Sequence, residues 1–252
     1  MAKAILKVKN LRKVYEDKVA VDDISFEVAT GEIFGILGPN GAGKTTTLEM
    51  IETLRPIDGG NVTLDGLDVA KQPSDVKKVI GVQPQTAAFQ DKQKVSEIIE
   101  MFAAAYGERV NVKDFLEEVQ LGDKAGSFAE KLSGGQRQRL SIAAALVHSP
   151  KVFFLDEPTT GLDPQARRNL WDLIEEVRDK GVTVIMTTHY MEEAELLCDR
   201  VAIMDNGKIV AMDTPKNLIK QLLKRGFKKE QVVEQANLED VFIDLTGKAL
   251  RE

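Results

Sequence analysis

Gly38-Pro39-Asn40-Gly41-Ala42-Gly43-Lys44-Thr45 indicates the fold class of this chain. It follows Ile33–Leu37, a short apolar run typical of a buried strand, and it precedes a predicted helix over residues 44 to about 54. A glycine-rich octapeptide between a strand and a helix has the Walker A pattern. Its backbone N–H groups can surround phosphate oxygens, and the helix N-terminus adds the positive end of a dipole. We therefore expect a phosphate-binding loop, with Lys44 at the phosphates and Thr45 as a Mg²⁺ ligand.

The composition excludes several classes of protein. Of the 252 residues, 43% are hydrophobic and 29% are charged, as in globular domains. The apolar runs have the length of strands, well below the ~18 residues needed to cross a bilayer, and residues 1–10 turn polar too early for a signal peptide. The single Cys198 excludes an intrachain disulfide, and with two distant histidines it makes a zinc site implausible. The net charge of −6 argues against a duplex-DNA binder.

A second apolar strand ends in two acids. Residues 152–155 are followed by Asp156 and Glu157, and ligands of open α/β sheets bind at the carboxyl ends of the strands. We predict that Asp156 binds Mg²⁺ and that Glu157 acts as general base on the attacking water. Two solvated acids opening a turn before Pro158 would give the same pattern, so this motif gains weight only beside the phosphate-binding loop.

Leu132-Ser133-Gly134-Gly135-Gln136 has the properties of a second phosphate site. A hydroxyl and glycine N–H groups open a predicted helix over residues 137–147, whose N-terminus favours an anion. One nucleotide needs two phosphate-binding segments only if they contact it from different faces. The segment therefore suggests a composite site to which two chains contribute. A helix cap with flexible glycines is the alternative.

The order of predicted elements indicates an α/β fold. Strands alternate with helices in the second half of the chain, which implies a parallel sheet, and Asp65-Gly66 and Asp205-Asn206-Gly207 predict hairpin turns. We predict a P-loop NTPase core with a mainly parallel sheet, an N-terminal antiparallel β lobe and an inserted helical lobe that carries the 132–136 segment. The predicted organisation is one domain over 1–252, with the β lobe and core in 1–85 and 148–215, the helical lobe in 86–147 and a helical C-terminal tail in 216–252.

These motifs, in this order, resemble those of the ABC ATPase family, whose signature is Leu-Ser-Gly-Gly-Gln, and the resemblance covers nearly the whole chain. It implies that Tyr15 stacks on adenine, that Gln85 links Mg²⁺ and water to a transmembrane partner, and that His189 contacts the γ-phosphate. Residues 160–163 match the D-loop, which lies along a dimer seam. Without the resemblance, Tyr15 is a surface residue, Gln85 and His189 are structural, and Asp163 caps a helix.

The predicted site residues fall into three groups. The catalytic residues are Glu157, His189 and Gln85. The metal ligands are Thr45, Gln85 and Asp156. The nucleotide-binding residues are Tyr15, Gly38, Pro39, Asn40, Gly41, Ala42, Gly43, Lys44, Thr45, Thr46, Ser133, Gly134, Gly135 and Gln136.

The resemblance also implies partners. They are ATP with Mg²⁺, an integral membrane permease subunit and a second ATPase subunit, in a homodimer or a heterodimer, and no nucleic acid. The implied location is cytoplasmic, at the cytoplasmic face of the membrane. Two ATP molecules would lie at a head-to-tail dimer interface and drive transport by the separate transmembrane subunit.

Residues 80–83, 190–195 and 240–242 look like those of the drug, lipid and polysaccharide exporter branch, which implies export. Gln93-Lys94-Val95 departs from the Leu-Thr-Val of many relatives near the expected docking face. Phe89, in a loop, is the predicted exposed anchor for the membrane partner. The main alternative is an ABC-type ATPase that acts on ribosomes or nucleic acid. A P-loop kinase or switch and a binding module without turnover are disfavoured by the signature and by the intact acid, lysine and histidine set.

Overall fold

The computed structural model describes residues 3–85, 89 and 92–227. Contacts divide the chain into two units, Met1–Leu218 and Ile219–Glu252. Every predicted site residue belongs to the first unit. The exporter-like segment 240–242 lies outside the described residues, and the predicted division into core, helical lobe and tail stays a prediction.

Strands and helices alternate through most of the described chain. The strands are β1 (Ala4–Tyr15), β2 (Lys18–Ala29), β3 (Ile33–Leu37), β4 (Gly59–Leu64), β5 (Leu67–Asp68), β6 (Ile80–Gln83), β7 (Val152–Asp156), β8 (Thr183–Thr188), β9 (Arg200–Asp205) and β10 (Lys208–Asp213). The α-helices are α1 (Lys44–Ile51), α2 (Pro73–Val79), α3 (Val95–Tyr106), α4 (Val112–Glu118), α5 (Gly134–Leu146), α6 (Pro164–Asp179), α7 (Met191–Leu197) and α8 (Pro215–Lys224). Short 3-10 turns lie at Gly122–Lys124 and Ala129–Lys131.

The larger sheet has the order β10-β9-β3-β8-β7-β6. Its inner pairs are parallel, and only β10 runs antiparallel, at the edge. Every residue of β3 and β7 is buried. Phe34 and Ile36 enter one apolar cluster while Ile33 and Leu37 enter the other. Because both faces of this sheet are covered, its strands are continuously apolar instead of alternating.

The smaller sheet, β2-β1-β4-β5, is antiparallel throughout. Its buried face joins helix α1 and one face of the larger sheet in a single cluster. The rings of Phe26 in β2 and Phe34 in β3 stack with centroids 5.3 Å apart and link the two sheets. The predicted N-terminal antiparallel sheet and mainly parallel larger sheet are therefore confirmed.

Helices α3, α4, α5 and α6 contribute to the second apolar cluster, on the other face of the larger sheet. The bounds of α3 agree with the predicted helix, whereas α5 begins at Gly134 and not at Arg137, because Ser133 caps it. Phe89 is half-buried and packs against this cluster. The expectation that Phe89 is an exposed anchor is therefore wrong, since its apolar ring has found partners within the chain.

Both predicted hairpin turns are present. Leu64 pairs with Leu67 around Asp65 (φ 47°) and Gly66 (φ 83°). The turn between β9 and β10 likewise places Asn206 and Gly207 in the left-handed region, with φ of 45° and 77°. Such paired positive φ values match the right-handed twist of antiparallel strands.

Helix α2 was not predicted, because its seven residues are too few for an apolar period to be recognised. In the part of the chain that the structure describes, no helix is both long and apolar enough to span a membrane.

Candidate nucleotide site

Three neighbouring strands end at one edge of the larger sheet and bring the predicted motifs together. Strand β8 lies between β3 and β7, and all three are parallel. The phosphate-binding loop follows β3, β7 ends at Asp156, and β8 ends one residue before His189. Asp156 pairs in register with Thr187. The site is therefore at the carboxyl edge of the sheet, where α/β folds bind their ligands.

Two loop glycines are required by the backbone. Gly43 has a φ of 100°, and a Cβ there would lie 2.4 Å from the carbonyl oxygen of Ala20. A Cβ on Gly38 would lie 2.2 Å from the carbonyl oxygen of Met204. Neither position has room for a side chain, so the loop can pass close to the sheet and enter α1 directly at its N-cap, Gly43.

Lys44 places a buried positive charge beneath the loop. Its side chain is 4% exposed, and Nζ donates to the carbonyl oxygens of Gly38 (2.9 Å) and Pro39 (3.2 Å). Nζ also lies 3.1 Å from Glu157 Oε1. These three acceptors hold the ammonium in place, and an arriving phosphate would exchange with one or more of them.

Asp156 and Thr45 supply oxygen ligands suited to Mg²⁺. Thr45 Oγ1 donates to Asp156 Oδ1 at 3.3 Å, and the hydroxyl of Thr187 donates to the same oxygen. Burial raises the pKa of Asp156, and the hydrogen bonds from Thr187 and Thr45 oppose that shift. Among the described residues there is no group of three or more His, Cys, Asp or Glu that could hold a metal ion. Mg²⁺ at Thr45 and Asp156 would therefore depend on phosphate oxygens to complete its coordination, which is its usual mode in nucleotide sites.

Glu157 is held in an unusual backbone conformation. Its φ is 47°, which is uncommon for a residue other than glycine. Its N–H donates to both the carbonyl oxygen (3.2 Å) and the hydroxyl (3.0 Å) of Thr187. Strand β8 thus fixes the turn that aims the carboxylate back across the sheet edge.

The Glu157 carboxylate is bound at both oxygens. Oε1 contacts Lys44, and Oε2 lies 3.0 Å from His189 Nδ1 and accepts from Thr160 Oγ1 at 3.3 Å. Burial alone would raise the pKa of Glu157, but the hydrogen bonds and charges of Lys44 and His189 outweigh it, and the pKa is lowered. The carboxylate is therefore ionised at neutral pH and able to accept a proton.

A cleft of about 430 Å³ opens above the loop. Tyr15 lies at its wall, 37% exposed, with the cations of Lys13 and Arg55 at 5.4 and 5.7 Å from its ring centroid. Nine of the predicted residues line the cleft: Tyr15, Asn40, Gly41, Gly43, Lys44, Thr45, Thr46, Gln85 and Glu157. Lys18 and Ala20, which were not predicted, line it as well. Of the other predicted residues of this site, Gly38 and Pro39 contact Lys44, Asp156 contacts Thr45, His189 contacts Glu157, and Ala42 is buried.

The 133–136 segment does not reach this cleft within one chain. Ser133 is the exposed N-cap of α5; its hydroxyl accepts from Gln136 N (3.3 Å), and Gln136 Oε1 accepts from Ser133 N (3.0 Å). A Cβ on Gly135 would lie 3.0 Å from the Cβ of Ala166, near the start of α6. Asp163 caps α6 by accepting from Ala166 N at 2.8 Å. The cap interpretation of both segments therefore holds in the single chain.

A larger cavity, about 620 Å³, lies at the opposite ends of the same strands. It contains none of the predicted site residues. Two of its lysines are paired with acids, Lys151 with Asp65 and Lys180 with Glu118. Because no predicted site residue lines this cavity, we place the chemistry in the smaller cleft, near which a lysine, two acids and a histidine converge.

Two functional features were missed by the sequence analysis. Thr187 contacts both Asp156 and Glu157, and a sheet order with β8 beside β7 would have revealed it. Glu193, which is fully buried, and the half-buried Trp171 and Arg167 form a polar cluster behind His189. A glutamate on the apolar face of a seven-residue helix was the available signal.

Comparison with known proteins agrees with this geometry. A family model described as ABC transporter matches residues 21–160, more than half of the chain. Linearmycin resistance ATP-binding protein LnrL of Bacillus subtilis (strain 168) is 40% identical over 223 residues, covering 86% of this chain and 72% of that protein. Nod factor export ATP-binding protein I of Burkholderia thailandensis is 42% identical, covering 87% and 74%. Daunorubicin resistance ATP-binding protein DrrA2 of Streptomyces coeruleorubidus is 40% identical, covering 85% and 69%.

Solved structures give the same result. The structure of an ATP-binding subunit of an ABC transporter matches with a TM-score of 0.78 and 29% identity, over 96% of this chain and 99% of that chain. The ADP conformation of an ATP-binding cassette of an ABC transporter matches with a TM-score of 0.79 and 26% identity, over 88% and 96%. The predicted fold class and the family resemblance are confirmed. The chain belongs to the ABC transporter family, as one of the ATP-binding cassettes that hydrolyse ATP to power transport.

Proposed function

We propose that this chain is the ATPase of an exporter: it binds ATP with Mg²⁺, pairs with a second ATPase subunit and drives a separate transmembrane subunit from the cytoplasmic face of the membrane. We propose no nucleic-acid partner for the chain. The observation that carries it is the placement of Glu157, with one carboxylate oxygen 3.1 Å from Lys44 Nζ and the other 3.0 Å from His189 Nδ1.

This arrangement assigns a task to each group. Lys44 offers its charge to the β- and γ-phosphates at the N-terminus of α1. Glu157, ionised and aimed by the Thr187 contacts, takes a proton from the water that attacks the γ-phosphorus, as the bond to the leaving β-phosphate oxygen breaks. His189 orients the Glu157 carboxylate and lies beside the γ-phosphate. A general base in such a position contributes about 10²–10⁴ in rate.

Mg²⁺ would be held by Thr45 and Asp156, with Gln85 at the wall of the cleft as a third oxygen ligand. When bound it neutralises phosphate charge as the leaving group departs. The hydroxyl and carboxylate oxygens of Thr45 and Asp156 are the hard donors that this ion prefers. Tyr15 offers an aromatic face at the cleft wall, on which we place the adenine.

A second subunit is part of the proposal because Ser133 and Gly134 are exposed and the 133–136 segment does not line the cleft of its own chain. The N-terminus of α5 favours an anion. In a head-to-tail pair, Ser133–Gln136 of one chain would close over the phosphates held by Lys44 of the other.

Export is supported by the relatives. Their names describe ATP-binding proteins of Nod factor export and of linearmycin and daunorubicin resistance. The alternative, an ATPase acting on ribosomes or nucleic acid, has no comparable support among these relatives.

Two variants test the site. Lys44→Ala removes a charge-assisted contact of roughly 1.5–3 kcal/mol, so ATP affinity should fall about ten- to hundred-fold.

Glu157→Gln keeps the size of the side chain but loses its basicity, so the variant should bind ATP and lose about 10²–10⁴ in turnover. Calorimetry measures binding and phosphate release measures turnover. Parental turnover in Glu157→Gln would remove Glu157 from the role of base, and unchanged affinity in Lys44→Ala would place the nucleotide elsewhere.

A further inference from the structure

A fully buried carboxylate lies behind the Thr188–Tyr190 segment, which contains His189. Glu193, on α7, has no exposed surface. Its Oε1 accepts from Trp171 Nε1 on α6 at 3.0 Å. Burial raises the pKa of Glu193, while the hydroxyls of Thr188 and Thr159, the Trp171 bond and the charge of Arg167 oppose the shift. This acid lies within reach of groups from three segments: the end of β8, the turn that follows β7, and α6.

The neighbours of Glu193 are the segments that build the site. Thr188 immediately precedes His189, and its hydroxyl accepts from Tyr190 N at 3.0 Å. Thr159 lies two residues beyond Glu157. Arg167 is one turn into α6, and its guanidinium lies 4.7 Å from the centroid of the Tyr190 ring. The cluster therefore connects α6, the helix that follows residues 160–163, with the residues on both sides of His189.

The polar groups of this cluster are only partly satisfied. Within the described chain, Glu193 Oε2, Thr159 Oγ1 and Arg167 Nε are buried without a partner in hydrogen-bonding geometry, although the two threonine hydroxyls are close enough to lower the pKa of Glu193. A buried polar atom without a partner carries a free-energy cost, because it has lost its hydrogen bonds to water. An apolar residue at this place would avoid that cost, so stability alone does not explain the glutamate.

We propose that Glu193 is a positioning residue: together with Trp171 and Arg167 it ties the Thr188–Tyr190 segment to α6 and thereby sets the direction of His189 toward Glu157. The inference rests on the proposed function, because it acts through His189. Through these contacts, the start of α6, which follows residues 160–163, is linked to His189 in the site.

Two substitutions break the tie in different ways. Glu193→Leu removes the acceptor, and Trp171→Phe removes the donor while an aromatic ring remains. Loss of one such hydrogen bond should lower kcat about three- to tenfold and leave the KM for ATP unchanged, because the phosphate-binding loop is untouched. Glu193→Gln retains the acceptor oxygen and should keep most of the parental kcat. Glu192→Gln, an exposed neighbour on α7, is the matched control and should change neither constant.

The decisive measurement combines these changes with His189→Ala under single-turnover conditions with enzyme in excess. If Glu193 and Trp171 act through His189, neither substitution lowers the rate further in the His189→Ala background. The inference is overturned if Trp171→Phe and Glu193→Leu keep the parental kcat, or if their losses multiply with that of His189→Ala. Should Glu193→Leu fail to fold, Trp171→Phe still decides. If His189→Ala itself keeps the parental rate, the proposed function of the site fails instead.

Discussion

At the scale of single residues, four carboxylates are buried in the described chain, and their surroundings differ. Glu157 has a lysine, Asp156 has two hydroxyls, and Glu193 has an indole N–H. Glu52, the C-cap of α1, is buried and lies near two other acids. Burial and then the charges of Asp156 and Glu49 raise its pKa to about 8. Of these four acids only Glu157 has a lowered pKa, because Lys44 and His189 stabilise its charge. Burial raises the pKa of the other three.

The raised pKa of Glu52 predicts a pH-dependent stability. Its pKa in the fold lies above the ordinary glutamate value of 4.5, so the native chain holds this proton more tightly than the unfolded chain. The stability from the protonated acid is complete below about pH 4.5 and is lost as the pH rises through about 8. Glu52→Gln should remove this loss, so the variant should gain stability relative to the parent between pH 5 and pH 8 in denaturant unfolding. Glu100→Gln, an exposed change, serves as control, and a constant difference between Glu52→Gln and the parent over that range would contradict the prediction.

The sequence was sufficient for residues whose role follows from position along the chain. Lys44 follows a glycine-rich loop, and Asp156 and Glu157 follow an apolar strand, so local order fixes their place. Thr187 and Glu193 could not be found this way. Their contacts depend on β8 inserting between β3 and β7 and on α7 packing beside α6, and neither arrangement is written in the spacing of residues.

At the scale of elements, helix α3 begins with an incomplete cap. Lys94 has the extended conformation of an N-cap, with φ −76° and ψ 152°, and its N–H donates to Glu97 Oε2 at 3.0 Å. A lysine side chain carries only donors, so it cannot accept from the first turn. This is the position at which the sequence departs from the Leu-Thr-Val of many relatives, and threonine there would complete the capping box.

Lys94→Thr should therefore stabilise the chain. The gain is about 0.5–1 kcal/mol from the cap, less the few tenths that its exposed pair with Glu97 contributes. Chemical denaturation measures the change in the free energy of unfolding. Lys113→Thr places the same residue in the first turn of α4, which Asn111 already caps, and it should give no gain. Equal effects of the two substitutions would mean that the cap is not the cause.

Most elements could be predicted because their apolar residues follow the pattern of a buried strand or of a helix over enough positions to be recognised. The buried strands β3 and β7 and helix α3 are examples. The start of α5 was misplaced because glycines at its first two positions disfavour a helix on propensity alone, whereas the reciprocal Ser133 and Gln136 bonds begin it. Local hydrogen bonds here outweigh propensity.

At the scale of the whole molecule, the 133–136 segment does not line the nucleotide cleft of its own chain. We therefore predict that dimerisation of the chain depends on ATP. The Glu157→Gln chain should be mostly monomeric without ATP and dimeric with it, because both phosphate-binding segments must contact each nucleotide. Ser133→Arg should abolish the dimer and leave ATP binding by the monomer largely unchanged, since bulk and charge enter the second phosphate site. Sedimentation velocity with and without ATP distinguishes these states.

The control for this experiment is Ser133→Ala in the same background. Both Ser133→Ala and Ser133→Arg lose the Ser133 cap of α5, worth about 1 kcal/mol, but only Ser133→Arg adds bulk and charge. Ser133→Ala should therefore retain more of the dimer. A dimer that forms without ATP, or one that Ser133→Arg leaves intact, would argue against the shared site.

Trp171 is the only tryptophan in the chain, and its indole N–H is bound to Glu193. All indole emission from the unlabelled protein therefore originates at one point between α6 and α7, behind the histidine. Emission intensity and wavelength, and the single indole ¹H–¹⁵N resonance, are thus built-in optical and magnetic reporters of that junction. Movement of the histidine segment during a catalytic cycle can be followed in real time without attaching a dye, and Glu193→Leu supplies the spectrum of the released state.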